Sequence, residues 1–67
     1  MDAKKIGSTL SELRAKKGET LKDVADAIGV TVMALSHYEN GKRVPRDDIK
    51  VRLAKHYGET VDSIFYA

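Results

Sequence analysis

Residues 21–40 read LKDVADAIGVTVMALSHYEN. The pattern predicts two short helices joined by a tight turn: the first over Leu21–Ile28, the turn at Gly29-Val30-Thr31, the second over Val32–Glu39. Helices that cross steeply need a small residue where they come closest, and Ala25 supplies one. A short turn between helices usually needs one residue at positive φ, which costs glycine little, and Gly29 stands there. Val24, Ile28, Val30, Leu35 and Tyr38 then form the wedge between the two helices.

Before this stretch, Ile6, Leu10 and Leu13 recur at helical spacing, and a helix is expected over about Lys4–Lys17. Residues 1–5 are polar, an expected frayed end, with Asp2 as a candidate cap. Arg14 falls on the apolar stripe, where an arginine snorkels unless a buried partner waits for it. Lys16, Lys17 and Gly18 suit a helix C-terminus. Thr20-x-x-Asp23 has the pattern of a capping box, and Thr31 is a good N-cap. Asn40-Gly41 should end the central helix. After the loop Lys42–Pro45, a helix over Asp47–Tyr57 presents Ile49, Leu53, Ala54 and Tyr57 to the core, with Val51 facing away and Gly58 as the stop. Thr60 caps a last short helix that places Val61, Ile64 and Phe65 on one face. The sum is all-α: five helices, no strand signal, one domain over residues 1–67.

At 67 residues the chain can bury only a small core. It has no cysteine, hence no disulfide framework and no zinc–thiolate site, which suits a reducing cytosol. No segment reaches the roughly 20 apolar residues of a membrane span, and MDAKKIGSTL lacks the apolar centre of a signal peptide. The net charge is only +2, so placement matters more than sum: Lys42, Arg43 and Arg46 stand in a stretch, residues 40–46, without an acid. His37 and His56 are the only histidines, and neither belongs to a cluster with metal-ligand spacing. Ser36 and His37 are adjacent on a helix and cannot act as nucleophile and base. No catalytic residue, metal or cofactor is expected.

At about 100° per residue, Val32, Met33, Ser36, His37 and Asn40 sweep one arc of the central helix, while Ala34, Leu35 and Tyr38 sweep the core arc. The outer arc carries no charge. Such a face beside a basic loop suits a DNA major groove, where base edges offer hydrogen-bond sites and thymine methyls. Ser36 and His37 can bond base edges, and Val32 and Met33 can pack on methyls. Phosphate contacts are expected from Thr20, Asn40, Lys42, Arg43 and Arg46, helped by helix N-termini.

The twenty residues, with Leu10-x-x-Leu13-Arg14 before them and Glu39-Asn40-Gly41-Lys42-Arg43-x-Pro45, Leu53-Ala54 and Val61-x-x-Ile64-Phe65 after them, resemble the Cro/phage-repressor type of helix-turn-helix, the XRE family. The resemblance covers about Ile6 to Phe65; Leu21 departs from it, since members often carry there a Gln that helps hold a phosphate. It implies a lambda-repressor-like bundle that reads bases at positions 32, 33, 36 and 37 and touches the DNA backbone through Asn40, Lys42 and Arg43. It also implies that Arg14 reaches across to Glu39 as a structural ion pair. The implied protein is a cytoplasmic bacterial or phage repressor, bound as a homodimer to a palindromic double-stranded operator. Ile64, Phe65 and Tyr66 offer more apolar surface than a short helix needs, and part of it is the expected two-fold contact. The competing reading is a protein-interaction module or antitoxin on the same fold, for which exposed Val32 and Met33 would be the sign.

Overall fold

The computed structural model describes residues 1–67. Five helices follow in order: α1 (Ala3–Lys17), α2 (Leu21–Ile28), α3 (Val32–Glu39), α4 (Asp47–Tyr57) and α5 (Val61–Phe65). There is no strand. Each start except that of α4 has a local chemical cause. Thr20, Thr31 and Thr60 each accept the backbone N–H three residues on, capping α2, α3 and α5. Thr20 and Asp23 close the reciprocal box, the Thr20 amide donating to Asp23 Oδ2 at 2.9 Å. At the first helix the expectation of a frayed residues 1–5 is corrected. Asp2 Oδ1 accepts from the amides of Lys4 and Lys5, so the helix already takes in Ala3–Lys5. At the end of α3, Asn40 keeps a negative φ and the left-handed residue is Gly41 alone, at φ +73°.

The core gathers Ile6 and Leu10 of α1, Val24, Ala25 and Ile28 of α2, and Leu35 and Tyr38 of α3. Ile49, Leu53 and Ala54 of α4 and Ile64 and Phe65 of α5 complete it. Leu10, Leu35, Leu53 and Val24 are fully enclosed, so α1 through α4 each set one large apolar side chain at the centre. Val51 is exposed, as its angle on α4 requires. Tyr57 is only half-buried at the edge of this core.

One feature of the core departs from the sequence reading, and one was not read from it. The closing helix does not offer Ile64 and Phe65 as spare surface: both lie in the chain's own core, and of the three only Tyr66 is exposed. A close approach of backbones also joins α1 to α3. Gly7, buried in α1, meets the last turn of α3: a β-carbon there would press into the carbonyl oxygen of Glu39 and stand 2.8 Å from that of Tyr38. Glycine is required at that point because backbone fills the space a side chain would take.

Candidate nucleic-acid interface

The central helix α3 is fixed from both ends and from behind. At its start, the amides of Gly29 and Val30 turn back to Ala25 O, with Gly29 at φ +76°. Arg52 of α4 donates through Nη1 to Ile28 O at 3.1 Å, so the turn is held by a third helix. Behind it, Leu35 and Tyr38 are buried. At its end, the amides of Lys42 and Arg43 both donate to His37 O, at 2.9 and 3.3 Å, which folds the basic loop back over the last turn.

What this leaves outward is the expected arc. Met33 is 69% exposed and Val32 42%. Ser36 and His37 are half-buried beside them, and Asn40 is exposed. Asn40 Nδ2 donates to Ser36 Oγ at 3.2 Å, so the serine keeps its hydroxyl proton for another acceptor. Val32, Met33, Ser36 and His37 thus share one charge-free face.

The basic residues beside that face differ in how free their charge is. Lys42 and Arg43 are exposed and form no ion pair. The Arg43 guanidinium lies 5.7 Å from the centroid of the Tyr38 ring, a cation–π contact that steadies the side chain. Arg46 is paired with Asp48 at 3.4 Å, and both are well exposed, so its charge is partly offset. Thr20 is occupied as a cap: its amide is committed to Asp23, and only its hydroxyl proton remains to donate. The bond from the Thr20 amide, first among the causes, holds the Asp23 carboxyl below its ordinary value, so a negative charge stands beside Thr20. The five phosphate candidates are therefore unequal, with Lys42 and Arg43 the freest.

Behind the face, Arg14 grips Glu39 with two bonds, Nε to Oε2 at 2.8 Å and Nη2 to Oε1 at 3.0 Å. Its Nη1 donates to Glu19 O at 3.0 Å. The Glu39 side chain is 6% exposed, that of Arg14 22%. The hydrogen bond to Glu39 raises the Arg14 pKa above its ordinary value, against the opposing effect of burial. One carboxylate at the edge of the outer face is thus neutralised from within the protein. Next to it the half-buried Tyr57 has a hydroxyl without a partner; burial first, then the charges of Glu39 and Glu19, push its pKa up to about 12.

Sequence reasoning missed two contributors to this geometry, although each left a signal. Tyr38 is assigned only to the core, yet its ring also carries Arg43. Gly7 is a lone glycine inside an amphipathic helix, a pattern that marks close packing. No group of three or more His, Cys, Asp or Glu side chains is placed to hold a metal ion, and no helix is long and apolar enough to cross a membrane.

Compared with known proteins, residues 10–64 match the family described as Helix-turn-helix. The chain belongs to the helix-turn-helix family. Among its relatives, the HTH-type transcriptional regulator DdrOP3 of Deinococcus deserti is 38% identical over 60 residues, which cover 90% of this chain and 46% of that protein. The chain therefore spans about half the length of this curated relative. Among solved structures, the clp gene regulator ClgR from C. glutamicum superposes with a TM-score of 0.85 at 26% identity, over 98% of this chain and 86% of that one. The helix-turn-helix assignment accounts for α2 and α3 as the paired helices and for the all-α fold. Both named proteins are described as regulators, DdrOP3 of transcription and ClgR of the clp gene.

Proposed function

We propose that this helix-turn-helix protein binds double-stranded DNA in a sequence-specific manner as a bacterial or phage repressor, with α3 in the major groove. Val32, Met33, Ser36 and His37 read base edges. Thr20, Asn40, Lys42, Arg43 and Arg46 hold phosphates on either side, Lys42 and Arg43 most strongly. Two copies bind a palindromic operator. The observation that carries the reading is the pairing of surfaces on α3: a charge-free outer face that runs directly into a loop with two unpaired cations. A groove accepts the first and a phosphate backbone the second.

The two surfaces act through different physical terms, and this makes the reading testable. A lost phosphate contact releases fewer counterions, so Arg43→Ala should weaken all sequences alike and flatten the salt slope by about one unit. A base contact carries no such term. His37→Ala or Ser36→Ala should shift the preferred base at one position per half-site, by about 1–3 kcal/mol, with the slope nearly unchanged. Binding of each variant to operators selected from a random pool, and to their single-base variants at several salt concentrations, measures both. Base preferences left intact by every α3 variant would remove the groove assignment. Wild-type protein that binds no DNA would favour a protein-interaction surface or antitoxin, for which the exposure of Met33 and Val32 is the supporting observation.

A further inference from the structure

The proposed phosphate grip is drawn from α3 and the loop that follows it, yet this loop does not stand alone. Gly41, at its tip, turns at φ +73° directly against the first turn of α1. A β-carbon on Gly41 would lie 3.0 Å from both Cα and Cγ of Lys4, and 3.2 Å from the Lys4 amide nitrogen. Lys4 is therefore wedged sideways, backbone and Cγ, against the residue that separates Asn40 from Lys42.

The Lys4 ammonium is free. Lys4 is exposed and enters none of the molecule's ion pairs. The nearest acid in sequence, Asp2, has its Oδ1 turned onto the amides of Lys4 and Lys5 as the cap of α1. The close contact of Gly7 with the end of α3 keeps α1 and the loop in one rigid unit, so the Lys4 backbone is positioned by packing.

We infer that Lys4, on the first turn of α1, is a further phosphate-contacting residue, extending the grip of Lys42 and Arg43 across Gly41. The inference rests on the proposed DNA-binding reading and adds a second helix to the backbone contact. Its ligand is the DNA phosphate backbone. The contact carries no base preference.

Loss of one phosphate contact should lower the salt slope by about 0.9. Between 50 and 200 mM salt this makes the affinity lost by Lys4→Ala about threefold greater at the lower concentration. The probes are an operator duplex selected from a random pool and a mixed-sequence duplex of the same length. Lys16→Ala, the same charge change near the other end of the same helix, is the control. The expected result is a reduced slope for Lys4→Ala on both duplexes, restored by Lys4→Arg, with unchanged base preferences and a wild-type slope for Lys16→Ala. Equal slopes for wild type and Lys4→Ala, in a protein that still binds DNA in a salt-dependent way, would overturn the Lys4 assignment alone. A loss shared equally by Lys16→Ala would also overturn it, because net charge would explain both. No DNA binding by wild type would overturn the assignment together with the reading beneath it.

Discussion

Removing either member of the Arg14–Glu39 pair leaves a charge behind, but the two losses are unequal. Without Arg14, the carboxylate of Glu39, 6% exposed in the intact pair, loses both of its hydrogen-bond donors. Without Glu39, Arg14 still donates to Glu19 O and is open enough to reach water. Breaking a buried pair from one side costs about 3–5 kcal/mol. Arg14→Ala should fall in that range and Glu39→Ala below it, with the double variant losing less than the sum of the singles. Urea midpoints of the three variants give the comparison, and simple additivity would mean that the pair contributes no coupling. Replacing both partners together, Arg14→Met with Glu39→Leu, should recover most of the loss, since no charge is then stranded. The candidate for this role was visible in the sequence as an arginine on an apolar stripe, but its second partner was not. Glu19 O is a backbone atom in the loop after α1, and no side-chain pattern announces it.

Helix α1 meets the end of α3 backbone to backbone, and that contact reverses an ordinary preference. In an isolated helix, Gly7→Ala should stabilise by about 1 kcal/mol. Here the added methyl meets the carbonyls of Tyr38 and Glu39, which belong to a packed helix and cannot step aside cheaply. A net destabilisation of about 1–3 kcal/mol is expected, read as a lower midpoint in urea. An unchanged or higher midpoint would show that α1 shifts freely against α3. The element boundaries were legible because caps are local: a threonine and the amide three residues on decide each helix start. Contacts between elements were less so. Arg52 reaches Ile28 O, and His56 Nε2 lies 2.7 Å from Glu19 Oε1, both across gaps in sequence that no local pattern spans. Lys50 is a different case, because its signal was present. It precedes Leu53 and Ala54 by three and four residues and so lies on the core face of α4. Its side chain is buried, its Nζ donates to Tyr66 Oη at 3.0 Å, and this bond raises the Lys50 pKa. The candidate base-reading residues were placed by helical angle together with the family resemblance, and Met33 and Val32 are exposed on that arc.

The whole molecule measures 25 × 23 × 21 Å, less in every direction than the roughly 34 Å between successive major grooves on one side of DNA. One copy can therefore seat one recognition helix, and a palindrome needs two. With Ile64 and Phe65 consumed by the core, only Tyr66 of the three remains for pairing through the closing segment in the free state. A stable interface takes about 800 Å² from each partner, a fifth of the 4080 Å² this chain exposes. The expected behaviour is a monomer or weak dimer alone and two copies on operator DNA, measured by sedimentation with and without the duplex. A one-to-one complex with a palindrome at excess protein would rule out the paired arrangement. The closing of the core by α5 also bears on how the molecule is made. Ile6, near the start, completes the same cluster as Ile64 and Phe65, near the end. A ribosome adds about 5–20 residues per second, so α1 emerges on the order of 3–10 s before the last helix that covers it. Until residue 65 is made, the cluster that Ile6 shares with Ile64 and Phe65 stays open at that end.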